Sequence, residues 1–148
     1  MAVMSQPEPP SRRDGGTERG EKFAILIVDD EPLVLDLIAE ILRNLGHEVV
    51  PLPSPVEALR KVRLQKFDAA VVDIYMPEMS GLLFHAKLKV LDPELARRTL
   101  FVSGHFSREE LRRELEGTQQ FLQKPFDVNE LVQNVTAVLP PVPRVSAS

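Results

Sequence analysis

Ala69-Ala70-Val71-Val72-Asp73-Ile74-Tyr75-Met76-Pro77-Glu78-Met79-Ser80-Gly81 decides how this chain is read. A short apolar run of strand type ends on an acid, a loop bounded by Pro77 and Gly81 follows, and a segment of helical spacing begins. In an open α/β sheet ligands bind at the carboxyl ends of the strands, so Asp73 stands where chemistry is done. Alone, an Asp closing a strand reads as a turn former or helix cap. Its weight comes from matching polar groups at other strand ends.

Upstream, Phe23 to Val28 is a continuous apolar run, the pattern of a strand buried on both faces of a parallel sheet. It ends on Asp29-Asp30-Glu31, and Pro32 occupies a first helical position. Leu33, Val34, Leu37, Ile38, Ile41, Leu42 and Leu45 recur every three or four residues, predicting an amphipathic helix that Gly46 stops. His47 to Leu52 is mixed in polarity and reads as an edge strand. Ser54-Pro55-Val56-Glu57 has the form of a capping box opening a helix to about Gln65.

Downstream, Leu82 to Leu91 predicts a third helix, closed by Asp92-Pro93. Thr99 to Ser103 is another apolar strand, ending on a hydroxyl before Gly104. Ser107 to Glu110 is a second capping box, and the helix it opens has only Leu111 and Leu115 as strong apolar anchors. Gln120 to Gln123 is a short strand ending on Lys124-Pro125. Asp127 caps a last helix carrying Val128, Leu131, Val132, Val135 and Val138.

Five strands alternating with five helices imply a parallel sheet covered on both faces by right-handed crossovers. Five such units suggest a flavodoxin-like doubly wound sheet of order 2-1-3-4-5, with its switch point between strands 1 and 3. Residues 1–21 and 140–148, rich in Pro, Gly or charge, read as disordered tails flanking one domain at 22–139.

Composition narrows the class. The chain has 148 residues, 43% of them hydrophobic, which suffices for one core. A net charge of −4 without a basic stripe gives no nucleic-acid footprint. Without Cys there are no disulfides, thiolate metal sites or cysteine nucleophiles. No apolar run is long enough to span a membrane and no signal-peptide core is present, so the expected location is the cytoplasm.

The strand ends bring together Asp29, Asp30, Asp73, Ser103 and Lys124. Three close carboxylates repel one another unless a cation shares the site. Oxygen ligands of this kind suit Mg²⁺, and a carboxylate can act as a nucleophile towards phosphorus. Taken singly, Ser103 reads as a turn cap, Lys124 as a surface lysine and Phe121 as core packing. His85 and His105 have no partner acids at ligand spacing and read as solvated or loosely packed.

Asp29-Asp30, Asp73 with Met76-Pro77 and Gly81 after it, Ser103-Gly104, and Lys124-Pro125-Phe126 together resemble the receiver domain of two-component response regulators, over about Phe23 to Leu139. The resemblance implies a phospho-accepting switch rather than a dedicated enzyme. It makes Asp73 the acceptor of phosphate from a sensor histidine kinase or histidine phosphotransfer protein. It makes Asp30 a direct Mg²⁺ ligand, with Asp29 acting largely through water and Asp73 and the backbone carbonyl of Tyr75 completing the metal set. Ser103 would bond a phosphoryl oxygen and Lys124 would pair with the phosphate. Ser103 and Phe121 would form the switch, and the bond before Pro125 would be cis. A downstream protein would read the face of the fourth helix, fifth strand and fifth helix. Apart from the resemblance, Tyr75 and His105 flank the expected site, where their bulk would restrict attacking water and lengthen the phosphorylated lifetime. Two other functions compete. In a Mg²⁺-dependent phosphohydrolase of the haloacid-dehalogenase type, the two acids after the first strand sit two residues apart, whereas here they are adjacent. A phosphate-independent scaffold would not need the intact acids and Lys124.

Overall fold

The structure is a computed structural model that describes residues 21–105, 107–115 and 120–144. The expected N-terminal tail lies outside this range except for Glu21, as do residues 145–148 of the expected C-terminal tail.

The three most apolar runs form the centre of the sheet. They are β1 (Ala24–Val28), β3 (Ala69–Asp73) and β4 (Thr99–Ser103), and every residue in them is buried except Ala24. At the edges lie β2 (Glu48–Leu52) and β5 (Gln120–Gln123), whose residues are largely half-buried. The order is β2-β1-β3-β4-β5 and every pairing is parallel, the expected doubly wound topology. Pro51 sits in the edge strand β2, where a missing ladder donor is tolerated. Val28 pairs with Val72 in the register, so the residues that follow them, Asp29 just past β1 and Asp73 at the end of β3, stand side by side.

Alternation along the strands splits the core into two layers. Ile25, Ile27, Val71, Leu100 and Val102 face Ile38 and Leu42 of α1 (Pro32–Asn44) and Leu131 and Val135 of α6 (Val128–Val138). Leu26, Val28, Ala70, Val72 and Phe101 face the other way. They meet Ala58 and Val62 of α2 (Pro55–Leu64) and Phe84 and Leu88 of α3 (Gly81–Leu91). Leu111 and Leu115, the anchors expected for the helix after Ser107, are buried in this second layer, Leu111 within α5 (Arg108–Glu114) and Leu115 at its C-cap.

The helix ends follow local chemistry. Pro32 opens α1. Gly46, at φ 98°, closes it, its amide donating to Arg43 and that of His47 to Leu42. Ser107 with Glu110 and Asp127 with Glu130 form reciprocal capping boxes. At α2 half of the expected box forms: Ser54 accepts from the Glu57 amide, but its hydroxyl donates to Glu78 at 2.8 Å.

Two expectations change. Asp92-Pro93 does not simply end α3. The Asp92 side chain accepts from the Leu95 amide and opens a further short helix, α4 (Pro93–Arg97), making six helices among the described residues. Nor is the segment after Leu139 loose as far as Arg144. The Arg144 amide donates to Asp68 Oδ1 at 2.6 Å. Its guanidinium reaches the Phe67 carbonyl and Asp92 Oδ2, both at 2.9 Å, and lies 3.7 Å from Glu94. Asp68 Oδ2 accepts from the Ala24 amide, so these groups tie the returning chain to the amino-terminal edge of the sheet.

Candidate functional site

The carboxyl ends of β1, β3 and β4 and the residue after β5 surround a cleft of about 450 Å³. Its lining includes Asp30, Glu31, Asp73, Tyr75, His105 and Lys124. Asp29 and Asp73 are buried, and Asp30 is half-buried between them and solvent.

One carboxylate oxygen from each of Asp29, Asp30 and Asp73 lies within 4.8 Å of the others. Asp29 Oδ1 accepts from the Glu31 amide at 2.9 Å, while the buried Oδ2 has no hydrogen-bond partner. Lys124 Nζ is 3.2 Å from that oxygen as an ion-pair partner, without hydrogen-bond alignment. An unsatisfied buried carboxylate oxygen in a cluster of hard donors fits a divalent cation of the magnesium type.

Charge in the cleft is unbalanced. Burial, then the neighbouring Asp29 charge, pushes the Asp73 carboxyl up to about 7, with Lys124 and the Tyr75 amide pulling the other way. Burial likewise raises Asp29 against the Glu31 amide and Lys124. Burial works against the charge on Lys124, but the bond to Glu31 and the charges of Asp29 and Asp73 outweigh it, so its ammonium titrates above the usual lysine range.

Ser103 is fully buried and does not line the cleft; its Oγ accepts from the His105 amide at 3.2 Å. Phe121 pairs in register with Phe101 and packs half-buried against the second core layer, away from the cleft. The Lys124-Pro125 bond is cis. Tyr75 and His105 meet across the cleft mouth, ring centroids 4.3 Å apart. His85 is not loosely packed as expected: its Nε2 lies 2.8 Å from the Ala96 carbonyl and its ring meets Phe101 edge-on. Sequence reasoning missed Glu31, whose Oε1 lies 2.9 Å from Lys124 Nζ. The signal was there, as the third acid of Asp29-Asp30-Glu31.

A sequence profile of the response regulator receiver domain matches residues 25–136. The chain belongs to the response regulator receiver domain family. Receivers are signalling switches of two-component systems. The heme response regulator HssR of Staphylococcus aureus is 36% identical over 114 residues, which cover 77% of this chain and 50% of that protein. The probable transcriptional regulatory protein TcrX of Mycobacterium tuberculosis is 28% identical over 120 residues, 81% of this chain and 51% of that protein. This receiver therefore spans about half the length of the curated relatives it matches. Among solved structures, a CheY-like receiver from Methanospirillum hungatei superposes with a TM-score of 0.70 at 29% identity, covering 79% of this chain and 93% of that one. TrrA of Thermotoga maritima, solved in complex with Mg²⁺ and BeF, gives 0.69 at 26% identity, covering 79% and 99%.

Proposed function

We propose that this receiver takes a phosphoryl group from a phosphohistidine of a sensor kinase or phosphotransfer protein onto Asp73. The supporting observation is the convergence of Asp29, Asp30 and Asp73 in one cleft with Lys124 Nζ 3.7 Å from Asp73 Oδ2.

In the transfer an Asp73 carboxylate oxygen bonds to phosphorus as the bond from phosphorus to the donor imidazole nitrogen breaks, and the imidazole leaves with that electron pair. Asp30, Asp73 and the Tyr75 carbonyl would hold Mg²⁺, with Asp29 behind them through water. Bound there, the ion neutralises the carboxylates and the equatorial oxygens of the transferring group. Lys124 adds a point charge against the same oxygens. Ser103 sits one residue beyond the level of Asp73 in the register and would turn its hydroxyl from the His105 amide to a phosphoryl oxygen. The space it leaves would draw Phe121 inward. α5, β5 and α6 then form the face read by a downstream protein.

The test is intact mass after incubation with acetyl phosphate and Mg²⁺, for wild type and Asp73→Ala. One added phosphoryl group on wild type alone is the expected result. Equal labelling of both proteins would move the acceptor elsewhere, and no labelling of either with acetyl phosphate or a kinase would favour a scaffold.

A further inference from the structure

On the face away from α1 and α6, a groove of about 480 Å³ runs between α2 and α3 and shares no lining residue with the phosphoryl cleft. Its apolar lining is Val56 and Leu59 of α2, Val90 and Leu91 of α3, and Met79 from the loop that leaves Asp73. Val56 is 42% and Val90 83% exposed, far more than residues that finish a core. The charged side chains of the lining are Arg60, Arg63 and Lys87, and no carboxylate joins them.

We propose that this groove is the docking site for an acidic amphipathic helix of a partner protein. Val56, Leu59, Arg60 and Arg63 stand at i, i+3, i+4 and i+7, so they form one face of α2 about 10 Å long. Lys87 and Val90 supply the opposing wall at i and i+3. A third helix laid in such a trough seats its ridge of side chains between two others. The sign of the partner follows from charge. Arg98, Lys124 and Arg144 each have acidic partners, whereas Arg60, Arg63 and Lys87 have no ion pair among the described residues. The chain carries −4 overall, so attraction of an acidic helix is local to this trough and confers orientation as well as affinity. Glu78, an acid near in sequence, is taken by the Ser54 hydroxyl. The sequence shows no basic stripe because the cations come from two helices that only the fold brings together. This inference stands apart from the phosphoryl chemistry.

The test uses fluorescence anisotropy with two labelled synthetic helices, each with leucine at i, i+3, i+4 and i+7. One carries glutamate at the remaining positions and the other lysine. The glutamate helix binds the full chain saturably and the lysine helix does not. Arg60→Glu, Arg63→Glu and Lys87→Glu combined weaken binding about tenfold or more, the size expected when interface charges are reversed. Arg43→Glu on α1 leaves it unchanged. These rim residues are exposed, so the variant keeps the wild-type melting temperature. Val90→Ser weakens binding independently of charge. Equal binding of both helices, or no loss in the triple variant, overturns the proposal. So does binding to phosphatidylglycerol vesicles in place of the glutamate helix, or sedimentation showing a second copy in the groove.

Discussion

Lys124 Nζ lies 2.9 Å from Glu31 Oε1 and 3.7 Å from Asp73 Oδ2, so the lysine is held nearer an exposed acid than the buried Asp73. In the proposed phosphotransfer, Glu31 competes for the charge that the transferring phosphoryl group needs. Its side chain is 56% exposed, and such pairs are worth about 0–1 kcal/mol. Glu31→Gln therefore speeds labelling by acetyl phosphate by up to about fivefold. Mass spectrometry over time measures this, and slower labelling would show that Glu31 helps rather than competes.

Asp73 gives the metal-free protein a pH signature. Its carboxyl is raised from 3.8 to about 7 in the folded state. A raised carboxyl favours folding below its unfolded value, and that contribution is lost as pH rises towards 7. In EDTA, Asp73→Asn is therefore more stable than wild type at pH 8 by about 1–2 kcal/mol, a few degrees in Tm. The gap narrows towards pH 5 and closes only as pH approaches 3.8. Adding Mg²⁺ at pH 8 raises the wild-type Tm and leaves the variant nearly unmoved. Thermal melts at the two pH values decide it.

Gly81 holds the loop after Asp73 in place. Its amide donates to Ile74 at 2.6 Å, and a Cβ there would collide with the Asp73 carbonyl oxygen and the Ile74 backbone. Gly81→Ala costs about 2–3 kcal/mol, since rigid backbone cannot make room. Chemical denaturation gives the loss, and slower labelling of the folded variant shows that Asp73 has shifted.

The Tyr75 and His105 rings, tilted against each other at 37°, line the same cleft as Asp73. Tyr75→Ala and His105→Ala should each shorten the phosphorylated lifetime about threefold, the factor for roughly 0.65 kcal/mol of barrier. Unchanged decay of the labelled mass would leave the rings without this role.

Burial alone would raise Asp92, but the Arg144 hydrogen bond, the Leu95 amide and the Arg144 charge together hold its carboxyl below the usual range. A lowered carboxyl stabilises the fold above its unfolded value, and the effect is lost only as pH falls through the lower folded one. Arg144→Ala leaves buried Asp92 without its cation and costs about 2–3 kcal/mol, the same at pH 5 as at pH 8. Trypsin provides a second readout, with cleavage after Arg144 slow in wild type and faster in Asp92→Asn.

The sheet was legible because each buried strand is an unbroken apolar run whose polar ending marks the same edge. Asp29, Asp30, Asp73 and Lys124 follow from those endings and from parallel topology. α4 was not legible, because Asp92-Pro93 serves as a stop for α3 and as a start for the next helix, and the same residue types do both. The orientation of Ser103 has no sequence signal, since its partner is a backbone amide two residues away rather than the cleft. The Arg144 contacts join residues 52 and 76 positions apart, and no local pattern reports a pairing at that range.

The anchoring of Arg144 to Asp68 and Asp92 also holds that residue at the pole opposite the acidic cleft. A tether attached beyond that arginine, to a sensor surface or a fluorescent protein, leaves the reactive pole facing outward. Immobilised that way, the molecule can be interrogated by phosphoryl donors in solution without its own attachment shading Asp73.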